Sequence, residues 1–239
     1  MKRIILILLF LAALVSISAQ GRYPFHTNRA TSTTREDIHY LFNNSTDNET
    51  SEGAWINTGM DFSTSSPPEG THWANAASGS GDYFQLPTSY TNSFPADFSI
   101  SFFFKTPTNG TNIRMIESGS AGSTGFAARM NSTGQDFDVF TNSTELNATN
   151  FAGFSPSNNQ TFHFMLTYES STGYVYIYVD GVEENDASPE LGASGITLTG
   201  DWFIMNFALG QMDDFRIFPE ILDGTDATWL NNNAGTPLP

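Results

Sequence analysis

The stretch Phe162–Glu183 constrains this chain more than any other. Two runs rich in β-branched and aromatic residues, Phe162–Tyr168 and Tyr174–Glu183, are joined by the polar segment Glu169–Gly173, which predicts a β-hairpin. The second run alternates strictly. Val175, Ile177 and Val179 share one face, and Tyr174, Tyr176 and Tyr178 the other. The aliphatic face is the better core face, so a row of tyrosines is expected on the opposite side of a sheet. Asp180-Gly181 supplies the positive-φ position of a tight turn.

The rest of the chain reads as partners for this hairpin. Ile38–Phe42, Ala54–Asn57 and Asp82–Leu86 are short apolar strands separated by polar loops, and Asp61–Gly81 is expected to be loop because Pro67-Pro68 bars regular structure. Phe98–Lys105 has a two-residue period with Phe98, Ile100, Phe102 and Phe104 on one face. Further strands fit Asn112–Glu117, Gly125–Met130, Phe137–Phe140, Asp201–Leu209 and Gln211–Phe218. Thr225–Asn232 predicts one or two helical turns capped by Thr225 or Asp226, with Trp229 and Leu230 turned inward. Short strands at regular spacing, with no helix long enough for an α/β fold, predict an all-β antiparallel sandwich.

Composition bounds the partners. The net charge is −16 with nine Lys and Arg, which argues against nucleic acid and anionic membranes, since phosphate neutralisation and polybasic attraction are both lacking. The acidity fits either a surface suited to saline water or carboxylates gathered around a cation. Cysteine is absent, which rules out disulfides and thiolate metal sites. Met1-Lys2-Arg3, the apolar run Ile4–Ile17 and the small residues Ser18-Ala19 have the three regions of a signal peptide. Cleavage is expected after Ala19, with Ser18 the alternative, and no membrane span after cleavage. An uncleaved N-terminal anchor is the competing reading. The organisation expected is a signal peptide over 1–19, a linker or peripheral segment over 20–36, one domain over 37–233 and a C-terminal tail over 234–239. Sequons at Asn43, Asn44, Asn48, Asn109, Asn131, Asn142, Asn147 and Asn159 mark expected surface loops.

The order of these pieces resembles a known family. His163–Tyr168, then Tyr178-Val179-Asp180-Gly181, then Gly210–Phe218 with its Met212-Asp213-Asp214-Phe215-Arg216 core, is similar to the laminin-G-like jelly roll of the concanavalin A-like lectin/glucanase superfamily. His39–Phe42, the Asn44–Asn48 loop, Phe98–Ser101 and the terminal turns at Asp226–Asn232 match further family pieces, so the resemblance covers roughly 37–233. Where the family has a loop rich in small residues, this chain has Thr46–Gly53. The resemblance implies a two-sheet antiparallel jelly-roll sandwich, typically a non-catalytic glycan-binding or adhesion module.

These residues offer three candidate chemistries. Asp213 shares parity with Phe215 and Ile217, so it is expected to point inward, where a carboxylate needs a cation or several donors. A structural Ca²⁺ held by Asp213, Asp47 and loop carbonyls meets that need, and the resemblance also implies a cation here. Backbone N–H groups or Arg216 would meet it equally well. Tyr174, Tyr176 and Tyr178 present a stacking platform for sugar rings, with Trp73 in the Gly70–Trp73 loop, Trp55 and Trp202 as alternatives. Each of these aromatics also has the ordinary reading of packing in the core or under a loop. A catalytic reading needs paired carboxylates on one strand face, and no Glu-x-Asp-x-x-Glu pattern occurs. Polysaccharide lyases of this fold need basic residues on the concave sheet, and Lys is nearly absent. The expected function is a secreted carbohydrate-binding module whose partner is an extracellular glycan or a surface protein. A surface or virion structural protein is the alternative, and a glycoside hydrolase or polysaccharide lyase the third reading.

Overall fold

A computed structural model describes residues 38–40, 56–64, 67–68, 72–76, 82–87, 91, 95–107, 113–118, 125–130, 137–142, 144–146, 156–184, 190–196, 201–205 and 210–239. The chain divides into two compact units, 1–33 and 34–239, and all described residues belong to the second. The leader and linker segments therefore lie outside the described residues, as do Asp47 and Trp55.

In chain order the strands begin with β1 (Ile38–Tyr40), β2 (Ile56–Thr58), β3 (Met60–Ser63), β4 (Trp73–Ala76) and β5 (Tyr83–Gln85). Next come β6 (Phe98–Lys105), β7 (Ile113–Ser118), β8 (Phe126–Met130), β9 (Phe137–Thr141) and β10 (Thr144–Leu146). The chain closes with β11 (Thr161–Glu169), β12 (Tyr174–Val179), β13 (Val182–Glu183), β14 (Glu190–Leu191), β15 (Trp202–Ile204), β16 (Gly210–Phe218) and helix α1 (Gly224–Asn232). The first sheet runs β13-β12-β11-β6-β16-β4-β3, with β1 also on β16 and β14 also on β12. The second runs β10-β9-β8-β7-β15-β5-β2. Every pairing is antiparallel, giving the expected two-sheet jelly-roll sandwich.

The hairpin forms as the alternation predicts. β11 and β12 pair from Phe164–Val179 to Glu169–Tyr174 across a turn closed by Gly173 (φ +80°), whose N–H donates to the Glu169 carbonyl at 2.8 Å. Asp180 and Gly181 both have positive φ, as a type I′ turn requires, and hand the chain to β13. Gly181 also lies under α1: a Cβ here would sit 2.9 Å from the Thr228 Cα. Phe98, Ile100, Phe102 and Phe104 of β6 meet Val175, Ile177 and Val179 in the core between the sheets. Trp202 and Phe126 of the second sheet complete this layer, their rings stacked at 6.2 Å.

Two local expectations fail. Pro67-Pro68 does not exclude strands from 61–81: it separates β3 from β4, which pair with each other, and β4 docks on β16. The helix cap is Asp223 rather than Thr225 or Asp226. Its side chain accepts from the Thr225 and Asp226 amides, and the Asp226 carboxylate accepts the Asp223 amide, a reciprocal capping box. Asn142 and Asn159, the two sequon asparagines among the described residues, both occupy turns at positive φ.

Among the described residues no helix is long and apolar enough to cross a membrane.

Candidate functional site

The outer face of the first sheet is the tyrosine face of the sequence reading, and the structure covers much of it. Met165, Tyr178, Phe218, Leu222, Ala227, Leu230 and Leu238 form a second apolar layer, made by the sheet, α1 and the C-terminal residues. Tyr178 is 5% exposed beneath α1, and burial, then nearby Glu183 and Asp223, raises its phenol well above its ordinary range. Tyr176 is half-buried against the same layer, and Tyr174 is half-buried at the start of β12. The three tyrosines therefore do not form one exposed platform, because α1 lies across the end of the row. Trp73 is also a correction: it is 1% exposed in β4 rather than displayed on a loop. Trp202 is a core residue.

Asp213 is the second correction. A β-bulge in β16 sets both Asp214 (φ +50°) and Phe215 against the stretch between Ser101 and Phe103, so parity inverts across it. Met212 and Phe215 both reach the core, while Asp213 pairs with Phe103 on the outer face. Asp213 is fully buried there. Its neighbour Asp214 accepts from His39 Nε2 at 2.7 Å, from Arg216 Nε at 2.9 Å and Nη2 at 2.7 Å, and from the Gly235 amide at 2.9 Å. Burial pushes the Asp214 carboxyl up, but the His39 hydrogen bond and the Arg216 charge outweigh it and hold it well below the usual carboxylate range. Arg216 Nη1 then donates to the Thr236 carbonyl at 2.6 Å, so the residues after α1 seal this cluster. His163 lies beside it, its Nε2 2.8 Å from Ser101 Oγ, and burial depresses its pKa from 6.5 to about 3. His163 and Tyr178 thus share a face, on which both are buried. Among the described residues no three His, Asp or Glu gather as a metal site; one expected calcium ligand, Asp47, lies outside them.

The outer face of the second sheet carries a different arrangement. One residue from each strand joins a continuous cross-strand row: Ile56, Gln85, Phe203, Glu117, Ala127, Phe140 and Glu145. Beside it lies Arg114–Arg129–Asp138. A bulge in β7 sends both Met115 and Ile116 to the core and so puts Arg114 and Glu117 on one side, where Arg114 Nη1 donates to both Glu117 oxygens at 2.9 and 3.2 Å. Arg129 Nε donates to Asp138 Oδ2 at 3.2 Å and its Nη2 to Glu145 Oε1 at 3.4 Å. Its guanidinium carbon sits 4.1 Å from the Phe140 ring centre, a cation–π contact. Towards the other edge, Tyr83 and Phe203 meet edge to face at 5.0 Å, both half-buried, and Gln85 Nε2 donates to Asp201 at 2.8 Å.

Aromatic surface flanked by oriented donors and acceptors suits a polyhydroxylated ligand. The sequence reading passed over these residues. A signal was present: of the four cations after residue 36, Arg114 and Arg129 fall at outward positions on consecutive strands of a meander.

A family profile described as the concanavalin A-like lectin/glucanases superfamily matches residues 78–227. Among solved structures, the binding domain of botulinum neurotoxin DC in complex with rat synaptotagmin II superposes with a TM-score of 0.62 at 18% identity, covering 83% of this chain and 51% of that one. The binding domain of the same toxin in complex with SialylT gives 0.61 at 16% identity, with 83% and 51% covered. A structure titled for the dependence of botulinum neurotoxin type C cell entry on two ganglioside molecules gives 0.57 at 17% identity, with 84% and 52% covered. The chain spans about half the length of these neurotoxin chains, and at such identity the likeness shows the shared fold. No curated protein matches the sequence.

Proposed function

The chain belongs to the concanavalin A-like lectin/glucanase superfamily, and from that premise we propose that it is a secreted, non-catalytic module that binds extracellular carbohydrate. The observation that carries this reading is the outer face of the second sheet, where two arginines and three carboxylates share one surface with the half-buried aromatics Tyr83 and Phe203, and Phe140 lies buried beneath Arg129. Sugars are held by such combinations: C–H faces lie on aromatic rings, and hydroxyls need donors and acceptors together. A glycosidase needs one carboxyl kept protonated opposite a second that is ionised. Here Glu117 is paired with Arg114, and Asp138 and Glu145 with Arg129, which suits structural carboxylates and supports binding over hydrolysis.

Of the neurotoxin structures above, one is a binding domain in complex with rat synaptotagmin II and another concerns cell entry that depends on two ganglioside molecules, so glycan and protein partners both fit the reading. Calcium enters it as a stabiliser: Asp213, buried beside the β16 bulge, would supply one carboxylate and Asp47 another, with loop carbonyls completing the shell. The leader Met1–Ala19 supports secretion.

The test is binding of the chain from residue 20 to a broad glycan array, with calcium and with chelator. Binding lost in Phe203→Ala but kept in Tyr176→Ala assigns the ligand to the second sheet. The reverse assigns it to the exposed remainder of the tyrosine row. A blank array from folded protein shifts the reading to a structural or protein-contact role. Val182 and Leu191, both 61% exposed on the short strands beside β12, favour that second reading.

A further inference from the structure

Resting on that reading, we propose that Arg129 and Glu145 form a hydroxyl-recognition subsite, and that its ligand is an uncharged sugar presenting a vicinal diol rather than a sialylated or sulfated one. Arg129 is held in place before any ligand arrives. Its guanidinium lies over the Phe140 ring, with Nε on Asp138 and Nη2 on Glu145. A planar fork fixed on three sides loses little rotamer freedom on binding. Nη1 donates to no described group, and the side chain is 27% exposed, so two N–H donors remain available to a ligand. Glu145, 44% exposed on the short strand β10, gives Oε1 to Arg129 and keeps Oε2 as an acceptor. A donor and an acceptor side by side on an aromatic floor match two neighbouring hydroxyls, one accepting from Nη1 and one donating to Oε2.

Charge decides the class of sugar. Arg114 and Arg129 face Glu117, Asp138 and Glu145, so the surface has more carboxylates than guanidiniums and each guanidinium is already paired. The other cations after residue 36 are Arg216, buried with Asp214, and Lys105, which lies in the first sheet. An anionic sugar would find no guanidinium whose charge a neighbouring carboxylate does not already balance, and would approach a chain of net charge −16. A neutral hydroxyl meets neither obstacle. It needs only the hydrogen bonds that the pair leaves open.

The experiment titrates the full-length chain calorimetrically with mannohexaose, cellohexaose and a galactan oligosaccharide, and with sialyllactose and a heparin hexasaccharide as anionic arms. The expected result is binding to at least one neutral oligomer, with an affinity that changes less than about twofold between roughly 0.05 and 0.5 M salt. Arg129→Met and Glu145→Ala should each weaken it at least about tenfold. Arg129→Met removes the ion pair from buried Asp138 and so risks the fold. Glu145→Ala, on a half-exposed edge position, keeps the test decisive. Neutral binding that survives Glu145→Ala overturns the subsite. Preferential binding of sialyllactose or heparin, weakened by salt, overturns the charge argument and leaves the binding-module reading standing. A folded chain that binds none of these and is blank on the array overturns that reading and this inference with it.

Discussion

Arg216 grips Asp214, two residues before it, through both arms of its guanidinium, at 2.9 and 2.7 Å, and both side chains are buried. The bulge makes this possible: Asp214 at φ +50° turns its carboxylate along the strand towards the guanidinium. Gly235 and Thr236 then supply a donor and an acceptor from the last residues of the chain. A buried charge pair has to be satisfied throughout, and here the C-terminal segment completes it.

Breaking this pair should be costly. Asp214→Asn leaves Arg216 buried beside a neutral amide, and the expected loss is about 3–5 kcal/mol. Ending the chain after Asn233 removes the Gly235 and Thr236 contacts together with buried Leu238, for an expected loss of about 1–3 kcal/mol. Urea unfolding with an unchanged m-value checks both. A truncated chain as stable as the parent would show that the segment merely rests on the sheet.

Acid should destabilise the fold through His163. Unfolded, it takes up a proton near 6.5; folded, not until about 3. The unfolded state therefore binds more protons in between, and stability falls as the pH drops through that window, by an amount on the order of 4 kcal/mol. Asp214, held below its ordinary range, loses its stabilising contribution only at lower pH still. His163→Gln should flatten the stability profile between about pH 6.5 and 4 while leaving the steeper acid limb. A profile identical to the parent's would mean that His163 gains its proton without opening the structure.

The tyrosines should divide by burial. Tyr178→Ala opens a cavity under α1 and should cost about 3–5 kcal/mol, whereas Tyr174→Ala should stay within about 1 kcal/mol. Thermal melts of the two variants decide it, and equal losses would contradict the packing of α1 on Tyr178.

The calcium proposal is open to a direct comparison. Wild-type melting should rise with calcium and fall with chelator, and Asp213→Ala should melt lower and lose that dependence. Equal melting of the wild type in both conditions removes the ion. A low-melting Asp213→Ala would then report only the loss of a buried carboxylate's protein contacts.

Strand content and inward faces were legible in the sequence because alternation is local: each residue of β6, β11 and β12 declares its side by its neighbours two positions away. The hairpin turns were legible too, since only certain residues accept positive φ at Gly173, Asp180 and Gly181. Asp213 was misplaced for the same reason. Parity was carried through Asp214 as if the strand were regular, and a single inserted residue inverts it. The sequence by itself thus determined an antiparallel sandwich, its family and its main core face. Only the tertiary structure decided which outer face is covered. Burial of Tyr178 depends on α1, nearly fifty residues further along the chain, and the Arg129 cluster needs three strands laid side by side. Coverage and cross-strand adjacency are properties of topology, so the alternation of a strand gives the direction of a side chain without naming what stands above it.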